Sequence, residues 1–191
     1  MLYDEIRPTL KVTDKSVYRP LEDSRILANA VEKYAFGKFL DLGTGTGIQG
    51  IVASKKGCKV TFADINPEAV ECAKINAKAN NVKGDFVVSD LFSKIKGRFN
   101  VIAIDPPYMP SRTLDSDYAK RNYSFDGGIE GREIIDNFLD NYKKHVLKDY
   151  LILMTESYWN GVNNDIKRLK AEVVGKKHYP LLGDCAVLKF R

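Results

Sequence analysis

The chain has 191 residues, 44% of them hydrophobic and 29% charged, with a formal net charge of +5. That profile suits one globular domain with a full core, and no apolar run approaches the ~18 residues needed to cross a bilayer. Cys58, Cys72 and Cys185 are scattered, odd in number and form no CxxC pair, which argues against a disulfide framework or a structural zinc site.

The cysteine usage points to a reducing compartment, and residues 1–15 carry charges throughout with no apolar core. A cytoplasmic protein is expected, with no metal and no membrane contact. One domain over 1–191 is expected, in which residues 1–36 form an N-terminal arm and a helix packing on the rest. The mild positive balance tolerates an anionic partner without demanding one.

Residues 1–20 are polar with isolated apolar positions, an arm or loop. Leu21, Ile26, Leu27, Ala30, Val31 and Tyr34 fall mostly at helical spacings and predict a helix over 21–35. A short apolar strand, Lys38–Leu42, runs into Gly43-Thr44-Gly45-Thr46-Gly47, and Ile48–Lys55 reads as the helix after that turn. Lys59–Asp64 is a second strand. Asn66-Pro67-Glu68 is a helix start, with an N-cap side chain, proline at the first position and an acid in the first turn. That helix runs to about Asn80. Asp85–Ser89 and Phe99–Ile104 are the third and fourth strands. The stretch Met109–Glu130 has little periodicity, and a loop of that length is usually functional. Ile134, Ile135, Phe138, Leu139, Tyr142 and Val146 predict a strong amphipathic helix over Gly131–Val146. Tyr150–Thr155 is a fifth strand and Asn163–Leu169 a short helix. Ala171–Gly175 and Cys185–Phe190 are two last strands around a turn at Pro180–Gly183.

Strands alternating with helices imply an α/β fold, a parallel sheet with helices on both faces. The last pair has a short connection and must be antiparallel, because parallel neighbours need a long crossover.

Four strand ends carry chemistry. Asp41 and the run Gly43-Thr44-Gly45-Thr46-Gly47 open a helix from the first strand, and glycines let a ligand approach the backbone closely. A dinucleotide fingerprint would place a third glycine where this chain has Ile48. A carboxylate is a poor neighbour for pyrophosphate and a good one for the ammonium of an amino-acid cofactor. Asp64 ends strand two, 23 residues after Asp41, where an acid can accept both hydroxyls of a ribose. Asp90 can accept from an adenine amine, with Leu91 covering the ring. Asp105-Pro106-Pro107-Tyr108 ends strand four. Two prolines remove N–H donors and leave carbonyls and a carboxylate, an acceptor-only cradle for an –NH₂ group. Tyr108 can stack on a planar amide or base.

In this order the four pieces resemble class I S-adenosylmethionine-dependent methyltransferases. Their fold is Rossmann-like, a mostly parallel seven-stranded sheet with an antiparallel last strand. The Asp105–Tyr108 run looks like the branch that methylates amino nitrogens of glutamine side chains or nucleic-acid bases. Val17-Tyr18-Arg19-Pro20-Leu21-Glu22-Asp23-Ser24 resembles the VYxPxEDS entry of the HemK/PrmC family, particularly its short archaeal–eukaryotic branch. Asp126-Gly127-Gly128 and Gly131-Arg132-Glu133 resemble that family's GG…G segment.

The resemblance implies N5-methylation of the glutamine in the GGQ tripeptide of a peptide chain release factor. It implies S-adenosyl-L-methionine held by Asp41, Gly43, Thr44, Gly45, Asp64, Ile65, Asp90 and Leu91. Asp105, Pro106 and Tyr108 would act on the substrate amide, and Tyr18, Pro20, Glu22, Asp23 and Pro107 would close over it. Forty residues precede Asp41, too few for the helical domain of bacterial members. The short branch relies instead on a small zinc-binding activator subunit, here expected on the edge strand Asp85–Ser89. The family usually carries Asn where this chain has Asp105, and Asp there looks more like nucleic-acid methylases. An N-methyltransferase of exocyclic amines in RNA or DNA is therefore the alternative. Lys167, Arg168, Lys170, Lys176 and Lys177 would be its basic strip. A non-catalytic module keeping the cofactor fold is a third reading, opposed by the intact cradle. His145 and His178 show no partner pattern.

Overall fold

A computed structural model describes residues 1–111, 124–179 and 183–191. The helices are α1 (Leu2–Ile6), α2 (Glu22–Tyr34), α3 (Ile48–Lys55), α4 (Pro67–Ala79), α5 (Glu133–Asn141) and α6 (Val162–Leu169). The strands are β1 (Lys38–Leu42), β2 (Lys59–Asp64), β3 (Asp85–Val88), β4 (Phe99–Ile104), β5 (Val146–Ser157), β6 (Glu172–Tyr179) and β7 (Gly183–Phe190). The strands form one seven-stranded sheet in the order β3-β2-β1-β4-β5-β7-β6. β1 to β5 pair in parallel. β7 is antiparallel to both β5 and β6, so it alone runs in reverse. The Rossmann-like arrangement expected from the sequence is the one observed.

The central strands are apolar along their whole length because both faces are covered. Phe39, Val60, Phe62, Val101 and Leu153 pack with α1, α2 and α3 on one face. Leu40, Leu42, Ile102, Ile104, Ile152 and Met154 pack with Phe138 and Tyr142 on the other. Successive residues thus alternate between two cores, as the period of two requires. Gly50 shows how close α3 lies to the sheet, since a Cβ there would collide with the Phe62 ring.

Several boundaries differ from expectation. Residues 1–20 are not all loop: α1 is followed by a 3₁₀ turn at Arg7–Thr9, and Tyr3 and Ile6 are buried. Tertiary burial stabilises a helix too short to persist alone. The amphipathic helix stops at Asn141 and tightens into a 3₁₀ turn at Tyr142–His145 before β5 begins. Phe138, Tyr142 and Val146 stay in the core across that change, which is why the spacing looked continuous. β5 and β6 are longer than their apolar segments. Lys148, Asp149, Lys176, Lys177 and His178 are strand residues that apolar content does not reveal. Most of the stretch Met109–Glu130, and most of the turn Pro180–Gly183, lie outside the described residues. β3 is a sheet edge, pairing only with β2 among the described strands, with Phe86 stacked on Phe62 at 4.8 Å. No described helix is long and apolar enough to cross a membrane.

Candidate active site

The strand order reverses between β1 and β4, and a ligand crevice is expected outside the carboxyl ends of strands at such a point. Leu42 pairs with Ile104, so the glycine loop and the Asp105 turn leave the sheet side by side. A cavity of about 550 Å³ opens there. Most of the expected site residues line it: Tyr18, Pro20, Asp23, Gly43, Thr44, Gly45, Asp64, Ile65, Asp90, Leu91, Asp105, Pro106, Pro107 and Tyr108.

The glycine loop is braced from behind. Gly43 and Thr44 N–H groups donate to Ala63 O at 2.8 and 2.9 Å. Gly45 sits at φ 52, with open space where a side chain would project. Its N–H donates to Asp64 Oδ2 at 2.9 Å, and Asn66 N–H donates to Oδ1 at 3.0 Å. Burial raises the Asp64 pKa against those two hydrogen bonds. Leu91 occupies the left-handed region at φ 40, rare for a branched side chain. Ser89 holds it there, its hydroxyl donating to Leu91 O at 2.9 Å and accepting from Lys94 N–H at 3.0 Å. Strain maintained this way clusters at ligand sites.

Asp41 departs from its expected role. It lies behind the loop, off the cavity wall, and its Oδ2 accepts from Thr44 Oγ1 at 2.7 Å and Gly50 N–H at 2.9 Å. Burial pushes its pKa up to about 7. Its carboxylate braces the loop from behind. Glu22 also departs: its carboxylate turns away to Lys177 at 3.3 Å and Arg25 at 3.7 Å. The helix periodicity of α2 sends Asp23 and Ser24 inward and Glu22 out.

The acceptor end is a cluster of carboxyl and hydroxyl groups. Asp23 Oδ2 accepts from Tyr18 OH at 3.0 Å and Tyr108 OH at 3.5 Å, while Oδ1 accepts from Ser24 N–H at 2.7 Å. Ser24 Oγ donates to Asp105 Oδ2 at 3.3 Å. Burial, and then the charge of Asp23, push the Asp105 pKa well above the usual carboxylate range. Burial and Asp23 likewise raise Tyr18, so the phenols are O–H donors at neutral pH.

Glycines after the loop explain how the Asp105 turn is held. A Cβ on Gly127 would stand 2.8 Å from Pro107 O, and one on Gly131, at φ 72, would meet Tyr108 O. Asn160 clamps this contact, its Nδ2 donating to Tyr108 O at 2.8 Å and Gly131 O at 3.0 Å. Arg132 fixes the next layer through Glu156 at 2.9 Å, Asp165 at 2.7 Å, Asp136 at 2.7 Å and the Asn160 carbonyl.

Ser24, Asn160 and Trp159 were not foreseen as site residues. The EDS run carries Ser24 next to Asp23, and the helical phase of α2 turns both inward. Asn160 and Trp159 are brought in by the end of β5, beyond any local motif. The basic strip is partly neutralised, with Lys176 on Asp184 at 2.7 Å, Lys177 on Glu22 and Arg168 on Asp165 at 2.9 Å.

The described lining holds five aspartates (Asp23, Asp64, Asp90, Asp105 and Asp126) and no lysine, arginine or histidine. In a chain of net charge +5 that is an electrostatic choice of ligand. A sulfonium cofactor with an ammonium group fits such walls, and the open face of Gly45 leaves room beside Asp64. No group of three or more His, Cys, Asp or Glu residues placed to hold a metal occurs among the described residues.

Comparisons with known proteins agree on one family. The profile of the Methyltransferase small domain family matches residues 19–122. A Methanocaldococcus jannaschii protein named "Putative protein N5-glutamine methyltransferase" is 39% identical over 155 residues, covering 81% of this chain and 79% of its own length. The Ribosomal RNA small subunit methyltransferase C of Serratia proteamaculans is 37% identical over 87 residues, 44% of this chain, and the match spans only 25% of that relative. The solved T. thermophilus 16S rRNA N2 G1207 methyltransferase, in complex with AdoMet and guanosine, superposes with a TM-score of 0.64 over 95% of this chain and 43% of its own, at 15% identity, a likeness of fold. By profile, relative and fold together, the chain belongs to the Methyltransferase small domain family and is an S-adenosylmethionine-dependent methyltransferase.

Proposed function

We propose that the chain N5-methylates a glutamine side chain, that of the GGQ tripeptide of a peptide chain release factor. One observation carries this reading: the described lining is acidic and hydroxyl-rich, with no cation to meet a phosphate. Nucleic-acid enzymes draw much of their affinity from Lys and Arg on phosphates. A neutral primary amide needs none. The name of the M. jannaschii relative, a protein N5-glutamine methyltransferase, supports the same substrate class.

S-adenosyl-L-methionine would lie along Gly43, Thr44, Gly45, Asp64, Ile65, Asp90 and Leu91, and when bound it supplies an electrophilic methyl group. The chain's own residues do the rest. Asp105 and the carbonyl of Pro106 accept the two amide N–H bonds and aim the nitrogen lone pair at the cofactor half. Tyr108 covers the amide plane. Such positioning accounts for much of the rate in a group transfer between bound partners. Pro106 and Pro107 keep the turn rigid and donor-free. The whole chain acts as one methyltransferase domain in the cytoplasm, with residues 1–36 bringing Tyr18, Pro20 and Asp23 to the acceptor pocket. A small zinc-binding activator subunit would pair with β3, an edge that is otherwise an association hazard.

The test is transfer of tritiated methyl from S-adenosylmethionine to a GGQ-containing release factor, with total RNA in parallel. Label in the factor, lost on Gln→Ala in the tripeptide, is the expected result. Label in RNA alone would move the enzyme to the exocyclic-amine branch, the reading that the Asp105 residue type favours.

A further inference from the structure

N-methylation of an –NH₂ group releases a proton, and the cavity holds an arrangement able to take it. Asp105 and Asp23 sit on different elements, the end of β4 and the first turn of α2. Ser24 joins them: its Oγ is 3.3 Å from Asp105 Oδ2 and 3.5 Å from Asp23 Oδ1. The two acids are not equivalent. Asp23 collects Tyr18 OH, Tyr108 OH and Ser24 N–H, three donors that favour an ionised carboxylate. The hydroxyls of Ser24 and Thr155 face Asp105. Donors held on one carboxylate favour its charged form, and a carboxylate close by favours the protonated form of a buried neighbour.

We propose that Asp105, Ser24 and Asp23 form a proton relay in which Asp23 is the final acceptor of the proton lost by the substrate nitrogen. This rests on the N-methyl-transfer reading above. The nitrogen lone pair forms the N–CH₃ bond as the S–CH₃ bond breaks, its electrons staying on sulfur. As the N–CH₃ bond forms, the nitrogen, becoming positive, gives its proton to the carbonyl oxygen of neutral Asp105. The hydroxyl proton of Asp105 moves to Ser24 Oγ, and the Ser24 proton moves to Asp23. The pair holds one proton before transfer and two after, and returns one to water when products leave. The raised pKa of Asp105 fits its starting protonated state.

The other groups facing the pair are Asp41 behind β1, Tyr18, Tyr108, Tyr179 from β6 and Cys185 from β7. Burial first, and the two acids next, raise the Tyr179 and Cys185 pKa values, so both stay neutral through the physiological range. No cation lines the cavity among the described residues to compete for the negative charge. Asp23 thus gains a role beyond contacting substrate, and Ser24 becomes a positioning residue that acts through both acids.

The experiment is single-turnover methyl transfer to the release factor by the full chain, in H₂O and D₂O across pH 5–9. Ser24→Val and Ser24→Thr have similar shapes and differ in the hydroxyl. Ser24→Val and Asp105→Asn are expected to slow transfer roughly 10²-fold and to lose the solvent isotope effect, within the range for general acid–base groups. Ser24→Thr should keep both, and cofactor affinity by calorimetry should stay within a few-fold in all three. If Ser24→Val and Asp105→Asn transfer at the wild-type rate with an unchanged isotope effect, there is no relay. Should the wild type label RNA and not the factor, the substrate reading fails. The same variants measured on RNA then decide the relay separately.

Discussion

Two buried acid clusters flank the Asp105 turn, and they are built on opposite plans. Behind the turn, Glu156 and Asp165 are almost fully buried, and Arg132 bridges both and reaches Asp136. In front of it, Asp23 and Asp105 accept from hydroxyls and the Ser24 N–H, and the described cavity wall offers no cation. A cluster that carries its own counter-charge is complete within the fold. A cluster left without one is completed by what binds. The contrast separates scaffold from site more sharply than burial does, since acids in both clusters have raised pKa values with burial as the largest cause.

The largest effect should come from breaking the complete cluster. Arg132→Ala removes the counter-charge of Glu156 and one of the two at Asp165, and frees the Asn160 carbonyl. We expect a loss of about 3–5 kcal/mol in urea unfolding, the usual cost of removing one partner from a buried pair. Removing an acid from the open cluster should do the reverse. Asp105→Ala is expected to lower kcat by roughly 10²–10⁴-fold while cofactor Kd and the urea midpoint hardly move. A variant that retained full turnover would remove Asp105 from the chemistry.

Next in size is the cofactor half. Asp64→Ala deletes the acceptor of two backbone N–H groups and the expected ribose partner, so Kd for S-adenosylmethionine should rise roughly 10–100-fold by calorimetry. The smallest effect concerns pH. Burial, and then the charge of Asp165, push the Glu156 pKa from the ordinary carboxylate range up to about 8, so the folded state holds the proton longer than the unfolded chain. Stability therefore falls as pH rises through that window. Glu156→Gln should flatten the decline in melting temperature between pH 5 and 8. An unchanged slope would show that Arg132 already compensates the ionised form.

How much of this was readable from residues depends on where the information sits. β1, β2 and β4 are short apolar runs buried on both faces, and their limits coincide with the pattern. The glycine loop and the Asp105 turn follow directly from them, because adjacent strands deliver adjacent ends. The glycine motif suggests a ligand contact for Asp41, and the VYxPxEDS resemblance suggests one for Glu22. Only the fold reveals that the first hydrogen-bonds its own loop and the second a distant lysine. Arg132 lay inside the recognised glycine segment, but Glu156 and Asp165 come from β5 and α6, so the cluster had no local signature. The expected strand Ala171–Gly175 is the first half of β6; its second half is masked by Lys176, Lys177 and His178, whose side chains pair outward with Glu22 and Asp184.

Trp159 leaves the enzyme with a built-in optical reporter. It is the chain's one tryptophan, 54% exposed, and it stands at the cavity wall where β5 ends. All indole emission from the protein therefore originates at the mouth of the acceptor pocket. Any macromolecule that docks there changes the water around that ring and should shift its spectrum. Arrival and departure of the acceptor could then be timed by stopped flow without a dye. A methyl donor bound deeper, beside Asp64 and Leu91, would be far less visible to the same signal.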